Sequence, residues 1–341
     1  MRAIKDGQIN YEILSDELED SLKTIIKSGD FKLYEMMAYH LGWNTTTKPN
    51  SAIHIKRNHG LTTLISSEAI AGEHKIALPA ATAIELVKTF SEVHDDVQSG
   101  IPMRNNRDTV WWVWGPAQAI NVGDGLHALA RLALLRLKNS NASAETTLAA
   151  LQMLDKAGLE LCEGIFQNLE SQERIDLTID SYLEMAENKT GSLFGCAMAF
   201  APLFLQSDKS LIEAMYTLGK NIGVSREINQ DLNSIWYQSE QDEHAMSEVL
   251  NKKKLAPVVH AFENAKISQK RKLGDIYFKR VLDPKDLGDI QEVLEEVGSK
   301  TYCEQLSESY VSKGIDKAKK ILPSDTIEIL ATFINELVSS K

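Results

Sequence analysis

Apolar residues recur at helical spacing almost from one end of this chain to the other. Leu86, Val87, Phe90 and Val93 form one stripe within residues 85–99, and similar three-and-four spacing repeats in segment after segment. Convincing runs of strict apolar–polar alternation, the mark of a half-buried strand, are absent. Only 8 prolines and 19 glycines punctuate 341 residues, so few points force a helix to stop. The pattern predicts helices over about 8–28, 30–42, 61–73, 79–99, 116–139, 145–170, 175–205, 208–238, 253–267, 273–282, 286–299, 303–321 and 325–339. Asp208 and Asp325 stand where an N-cap is wanted, with Glu328 three residues after Asp325. The clearest loop runs from Thr45 to Ser51 and contains Pro49. Two segments, Ala117–Leu137 and Leu193–Leu205, are apolar nearly all round, which suits the interior of a large bundle. The fold expected is all-α, a large helical bundle around a central apolar cavity with polar groups at its mouth. No Gly/Ser/Pro-rich linker or short repeat divides the chain, so one domain over 1–341 is expected.

Composition narrows the partners. Hydrophobic residues make up 43% and charged residues 25%, enough for a sizeable core, and the formal net charge is -11. That balance argues against nucleic acid or an anionic membrane as the main partner. It leaves room for an anionic substrate, because a local cluster of cations and bound metal outweighs the global sign. Cys162, Cys196 and Cys303 are odd in number, far apart and without metal-ligand spacing, which reads as free thiols in a reducing compartment. The start, MRAIKDGQIN, lacks the apolar stretch of a signal peptide, and no segment approaches a membrane span of about 18 unbroken apolar residues. A cytoplasmic location is expected.

Two polar places stand out. Asp95-Asp96 follow the apolar stripe of residues 85–99, and Ser99, four residues after Asp95, shares its helical face. Adjacent carboxylates above an apolar stripe suit Mg2+, which takes few protein oxygens and completes its octahedron with water and phosphate oxygens. By itself such a pair is more often a solvated helix end. Farther on, Gln230, Ser234 and Gln238 fall at i, i+4 and i+8, with Asp231 beside them. They read either as a solvated polar face or as a second oxygen row for metal, weak without a diphosphate because Gln and Ser add no charge. Arg104 and Arg107, Lys189-Thr190 and Lys252-Lys253-Lys254 are ordinary surface charge one by one. Together they supply the fork of Arg and the point charge of Lys that hold a diphosphate.

At these residues the chain resembles the trans-isoprenyl diphosphate synthases, also called polyprenyl synthetases. The segments that carry the resemblance are YHLGW (39–43), KRNHGLTTLISSEAIAG (56–72), ALPAATAIELVKTFSEVHDD (77–96), RDTVWWVWGPAQAINVGD (107–124), YLEMAENKTGSL (182–193), IGVSREINQDLNSIW (222–236) and KKKLAPVVHAF (252–262). The resemblance implies an all-α bundle, usually a homodimer, with two aspartate-rich motifs facing each other across a cavity. It also implies Mg2+ as cofactor and an allylic prenyl diphosphate as substrate. Asp95, Asp96 and Asp231 match its catalytic aspartates, and Arg104, Lys189, Thr190 and Lys253 its allylic diphosphate contacts. For its second substrate, isopentenyl diphosphate, Lys56 matches, while the other positions read His59, Lys88 and Asn105. Phe90, five residues before Asp95, occupies a position where bulk limits product length in the family, which implies a substrate of farnesyl or geranylgeranyl size.

The departures set the functional expectation. Ser99 replaces the last aspartate of the first motif; Arg226-Glu227 replace an FQ pair; Gln230 and Ser234 replace two aspartates of the second motif. Residues 230–238 also resemble the metal-binding row of class I terpene synthases, in which Asn, Ser and Glu bind magnesium. Ser99, Gln230, Ser234 and Gln238 then join Asp95 as metal donors. Losing charged donors for a second diphosphate weakens that subsite. The expected activity is therefore a terpene synthase that ionises one allylic diphosphate with Mg2+, with Phe90, Phe194 and Trp236 as aromatic neighbours of the cation. Two alternatives stand beside it: a chain-elongating prenyltransferase, and a non-catalytic partner subunit forming a heteromer with a homologous synthase. Transfer of the prenyl group to another acceptor is a third.

Overall fold

The structure is a computed structural model that describes residues 3–5, 7–27, 30–43, 55–140, 142–172, 174, 176–237, 248–283 and 285–339. The loop expected around Pro49, and Gln238 at the end of the second polar row, lie outside the described residues. Fifteen α-helices are described here: α1 (Tyr11–Ile26), α2 (Lys32–His40), α3 (Asn58–Ala71), α4 (Leu78–Gln98), α5 (Val110–Trp114), α6 (Pro116–Leu134), α7 (Ala144–Ser171), α8 (Ile179–Ala186), α9 (Ser192–Phe204), α10 (Lys209–Trp236), α11 (Ala256–Asn264), α12 (Ile267–Tyr277), α13 (Asp286–Val297), α14 (Ser299–Ala318) and α15 (Ser324–Ser339). The all-α expectation holds.

The long helices α4, α6, α7 and α10 are the frame. α4 packs on α6 and α3, α10 lies between α9 and α14, and α7 runs against α9. Their shared core takes Leu14, Leu18 and Leu22 from α1, Ile84 and Leu86 from α4, Phe194 and Phe200 from α9, and Met215 and Ile222 from α10. A second cluster gathers Ile235, Leu273, Ile276, Ile290 and Leu294 around α11–α13. α9 is buried on nearly every side, as its all-round apolar sequence requires. Among the described residues no helix is long and apolar enough to cross a membrane.

Several boundaries differ from the sequence pattern, each for a local reason. The expected helix 175–205 is broken into α8 and α9 by a wider π turn over Glu187–Gly191. A Thr178–Ser181 capping box starts α8, a signal that apolar periodicity does not carry. The helix expected at 273–282 lies at 267–277, begun where Gln269 accepts from the Lys266 amide (3.0 Å); its lysine-rich first turns hide the pattern. Asp208 is the N-cap of α10 by position but makes no side-chain cap, and α15 starts one residue early, at Ser324, leaving Asp325 in its first turn.

Two small antiparallel hairpins also escape the pattern: β1 (Ile4–Lys5) with β2 (Gln8–Ile9), and β3 (Met103–Arg104) with β4 (Arg107–Asp108). Strands of two residues are too short to alternate visibly. The segment 117–137 is the larger correction, because it was expected in the interior. α6 buries Leu126 and Ala130 against its neighbours yet exposes Ile120 and Leu132, and Leu135 beyond it is exposed too. On α7, Leu148, Leu159 and Phe166 are exposed as well and fall on one helical face.

Candidate active site

The site is built at the C-terminal end of α4. Asp95 and Asp96 occupy its last turn, and Ser99 is the C-cap. The chain then turns back through the β3–β4 hairpin. Asn105 and Asn106 both take positive φ, 52° and 57°, the two-residue turn whose twist suits a hairpin and which asparagine tolerates. That turn returns Arg104 over the helix end. Its Nε donates to Asp96 Oδ1 (2.7 Å) and its Nη2 to Asp95 Oδ2 (3.1 Å), and Nη1 is 3.7 Å from Glu92 Oε1. Ser99 Oγ donates to the other Asp95 oxygen (3.0 Å).

The opposite wall comes from the π turn. Lys189 and Thr190 sit on it, and it can lie against α7 and α10 because glycines face it. A Cβ on Gly164 would fall 2.2 Å from the Lys189 backbone nitrogen, and one on Gly223 2.6 Å from the Thr190 carbonyl oxygen. Lys189 Nζ donates to Glu227 Oε1 on α10 (2.6 Å), and Thr190 Oγ1 donates to the other oxygen of the same carboxylate. Lys253, buried just before α11, donates to Glu248 (2.6 Å) and lies 4.0 Å from Asp95 Oδ1. The fold thus gathers Asp95, Asp96, Ser99, Arg104, Lys189, Thr190 and Lys253 from distant parts of the chain.

The electrostatics follow from these pairs. Burial alone raises the Asp95 carboxyl, but Lys253, then Arg104 and Lys189, hold it below its ordinary range. For Asp96 burial wins, and its carboxyl is raised despite Arg104. Burial opposes the Lys189 charge, yet Glu227 and then Glu248 keep its ammonium well above the ordinary lysine range. Glu92 is held well below its usual value against burial, first by Lys88 and then by His40 and Arg104.

The second row is not one uniform face. Gln230 is exposed and Ser234 buried, one turn apart on α10. Asp231 is buried, and its Oδ2 accepts from Tyr182 Oη and from the Ala256 backbone N–H, both at 2.7 Å. It ties α8 and the start of α11 to α10. Burial, then the neighbouring Glu227, pushes its carboxyl up to about 8. Phe90 is buried with its ring against His127 (4.7 Å) and His94 (5.5 Å). Phe194 is stacked on His59 (4.1 Å), and Trp236 donates to Glu295 (3.2 Å).

Beside Asp96 lies a cleft that sequence reasoning missed. Its walls include Tyr39, His40, Arg57, Glu92, Arg104 and Arg107. Arg57 is buried, with Nε donating to Glu19 (2.6 Å) and Nη2 to the Leu41 carbonyl (2.6 Å). Arg107 donates to the Tyr39 carbonyl (2.9 Å) while its guanidinium lies 4.1 Å from the centre of the Tyr39 ring. The residues expected there from the resemblance behave otherwise. Lys56 is exposed beside the cleft, Lys88 is paired with Glu92, and His59 is buried, its imidazole kept neutral first by burial and then by Lys88 and Arg226. Glu92 had a readable signal, since it stands three residues before Asp95 and shares its face. Arg57 had only its adjacency to Lys56.

The oxygen donors suit a hard divalent cation. Asp96 Oδ2 is buried with no hydrogen-bond partner among the described residues, next to the ionised Asp95. No cluster of three or more His, Cys, Asp or Glu side chains forms a ready-made metal site among the described residues. That combination fits Mg2+, which binds through one or two carboxylates and takes its remaining ligands from water and phosphate.

Comparison with known proteins bears on what the site does. A model of the polyprenyl synthetase family matches residues 45–297. The chain is 28% identical over 308 residues to the (2E,6E)-farnesyl diphosphate synthase of Mycobacterium tuberculosis, covering 88% of this chain and 84% of that protein. It superposes on the crystal structure of a polyprenyl synthetase from Streptomyces coelicolor A3(2) with a TM-score of 0.87 at 25% identity, over 96% of this chain and 98% of that one. For the geranylgeranyl pyrophosphate synthetase of Pyrococcus horikoshii the TM-score is 0.84 at 26% identity, over 97% and 99%. The last of these and the mycobacterial protein are named for making prenyl diphosphates. They overturn the expectation of a terpene synthase, and the chain-elongating alternative replaces it.

Proposed function

Because the chain belongs to the polyprenyl synthetase family, we propose that it is a chain-elongating trans-prenyltransferase. It joins an allylic prenyl diphosphate to isopentenyl diphosphate and yields a longer prenyl diphosphate of farnesyl to geranylgeranyl size. The observation that carries this reading is two sets of cationic groups beside the aspartates. Lys189 and Lys253 act on Asp95, Arg57 and Arg107 line the cleft beside Asp96, and Arg104, bonded to both aspartates, belongs to both sets. Two diphosphates need two such groups, because each must offset the desolvation of several negative charges. The second group stands on arginines other than those the resemblance implied, which answers the loss of charge at His59 and Asn105.

In this reading Arg104, Lys189, Thr190 and Lys253 bind the allylic diphosphate and take up the charge that grows on it as its carbon–oxygen bond breaks. Arg57 and Arg107, with Lys56 at the rim, hold the second diphosphate so that its double bond meets the allylic carbon. The new carbon–carbon bond forms there, a proton leaves the adjacent carbon, and inorganic diphosphate departs. Asp95 and Asp96, with Ser99, Gln230, Ser234 and Gln238, are the oxygen set proposed for Mg2+, while Asp231 holds α8 and α11 against α10 beside them. When bound, the ion supplies a Lewis acid for the departing oxygens. Phe90 closes the tail pocket below the aspartates, and the surrounding apolar core keeps water from the allylic cation.

The proposal extends to a homodimer of one-domain subunits. The exposed Ile120, Leu132, Leu148, Leu159 and Phe166 support it, since an apolar face of this kind on α6 and α7 suits a partner. Three free cysteines suit the reducing cytoplasm. The test of the second subsite is Arg107→Met. One charge-assisted bond is worth about 1.5–3 kcal/mol, so KM for isopentenyl diphosphate rises about tenfold or more while KM for the allylic substrate stays put. Equal effects on both, or none on either, would remove the subsite from the account.

A further inference from the structure

The allylic side carries a charge that its task does not call for. The resemblance places a neutral Gln at position 227, and this chain has Glu227. That carboxylate is buried and takes both functional groups of the π turn, Lys189 Nζ at 2.6 Å and Thr190 Oγ1. The other cations of the site are paired too, Arg104 with Asp95 and Asp96, and Lys253 with Glu248. Those partners differ in how they can respond to a ligand. Asp95 is part-exposed at the helix end, and Glu248 is only partly buried. Glu227 sits mid-helix on α10, where Gly223 brings the helix backbone into contact with the π turn. Both of its oxygens are engaged by the π turn, and among the described residues Lys189 bonds no other side chain. When a diphosphate arrives, Lys189 meets it with two of its three N–H groups and with its charge already offset.

We propose that Glu227 is a positioning and affinity-setting residue: it fixes Lys189 and Thr190 in place and, by cancelling the lysine charge, keeps every diphosphate on the allylic side weakly held so that product leaves. The inference rests on the reading that a diphosphate binds there. A synthase of this kind meets substrate diphosphate, product diphosphate and inorganic diphosphate at one subsite. Uniformly tight binding of all three slows release without helping the chemical step.

The test compares the full chain with Glu227→Gln, Lys189→Met and the double variant, by calorimetric titration with inorganic pyrophosphate and Mg2+ and by steady-state kinetics. Gln keeps the shape and the acceptor for Thr190 and removes the charge. Glu227→Gln is expected to bind pyrophosphate about tenfold more tightly, the size of one modest charge interaction. Its KM for the allylic diphosphate and its kcat should fall together, with KM for isopentenyl diphosphate unchanged. In the Lys189→Met background the same substitution should change pyrophosphate binding little, a split that a purely structural role does not produce. Unchanged or weaker pyrophosphate binding in Glu227→Gln overturns the proposal, as does tightening that persists without Lys189. If the wild-type chain elongates prenyl diphosphates and no tightening is seen, the role of Glu227 falls and the functional reading stands. If tightening is seen and no elongation occurs, the reading falls and Glu227 keeps its role as a diphosphate gate. If neither protein binds pyrophosphate, both fall.

Discussion

Arg104→Met isolates the charge balance at the end of α4. Among the described residues Arg104 is the only cation bonded to Asp96, which is 1% exposed and whose second oxygen has no partner there. Breaking a buried pair by removing one member costs about 3–5 kcal/mol when the other stays charged. Asp96 has an escape, because it can bind a proton. Holding an Asp neutral at pH 7 when its unfolded form titrates near 3.9 costs at most about 4 kcal/mol. At pH 5 the same limit is about 1.5 kcal/mol. The direction follows from linkage: the folded variant keeps its proton while the unfolded chain loses it above pH 4, so this contribution destabilises progressively as pH rises. Part of the limit is already spent in the wild type, whose Asp96 carboxyl is raised by burial, so the difference between the two proteins lies below it. Urea unfolding at pH 5 and pH 7 measures that difference. It should shrink at pH 5 and be largely repaired by adding Asp96→Asn. Activity should not be repaired: kcat/KM for the allylic substrate stays about a hundredfold down, since about two charge-assisted bonds to the diphosphate are missing. An equal stability loss at both pH values, or no rescue by Asp96→Asn, would refute the reasoning.

Three further outcomes are expected. Phe90→Ala removes the ring packed on His127, lengthens the main product by at least one isoprene unit on chromatography, and costs about 3 kcal/mol or more in unfolding experiments; an unchanged product would free Phe90 of its role. Leu159→Asp with Phe166→Asp places two charges on the exposed face of α7 and should give a monomer by light scattering, where the wild type gives a dimer; equal masses contradict the proposed interface. Asp231→Asn bears on pH. The Asp231 carboxyl is pushed up to about 8, first by burial, so the folded chain holds a proton that the unfolded chain releases above about pH 4. Wild-type stability should therefore decline between about pH 4 and 8 relative to the Asn variant, and parallel Tm profiles would contradict this.

Much of the fold is legible because α4, α7 and α10 declare themselves by apolar spacing, and α9 by being apolar on all sides. The residues that the resemblance assigns to the allylic side, Asp95, Asp96, Arg104, Lys189 and Lys253, do converge. What stayed hidden depends on where single side chains point after short turns. Arg107 faces the cleft because Asn105 and Asn106 turn the hairpin back, which no periodicity records. Asp231 matches a catalytic aspartate of the resemblance in sequence, yet Tyr182 and the Ala256 amide claim it, and both partners lie far away in the chain. The missing carboxylates in both motifs pointed toward single-substrate chemistry; Arg107 was read among the diphosphate cations, but nothing in the sequence set it beside Arg57 in one cleft. The apolar run of α6 was taken for core, since exposed apolar residues such as Ile120 and Leu132 look the same in sequence as buried ones.

The most direct measurement supplies the purified chain with Mg2+, geranyl diphosphate or farnesyl diphosphate, and isopentenyl diphosphate, and identifies the products by mass spectrometry before and after phosphatase treatment. The account predicts prenyl diphosphates longer by whole isoprene units, formed only when isopentenyl diphosphate is present. Hydrocarbon or terpene alcohol released from the allylic substrate alone, with no elongated diphosphate, would contradict it.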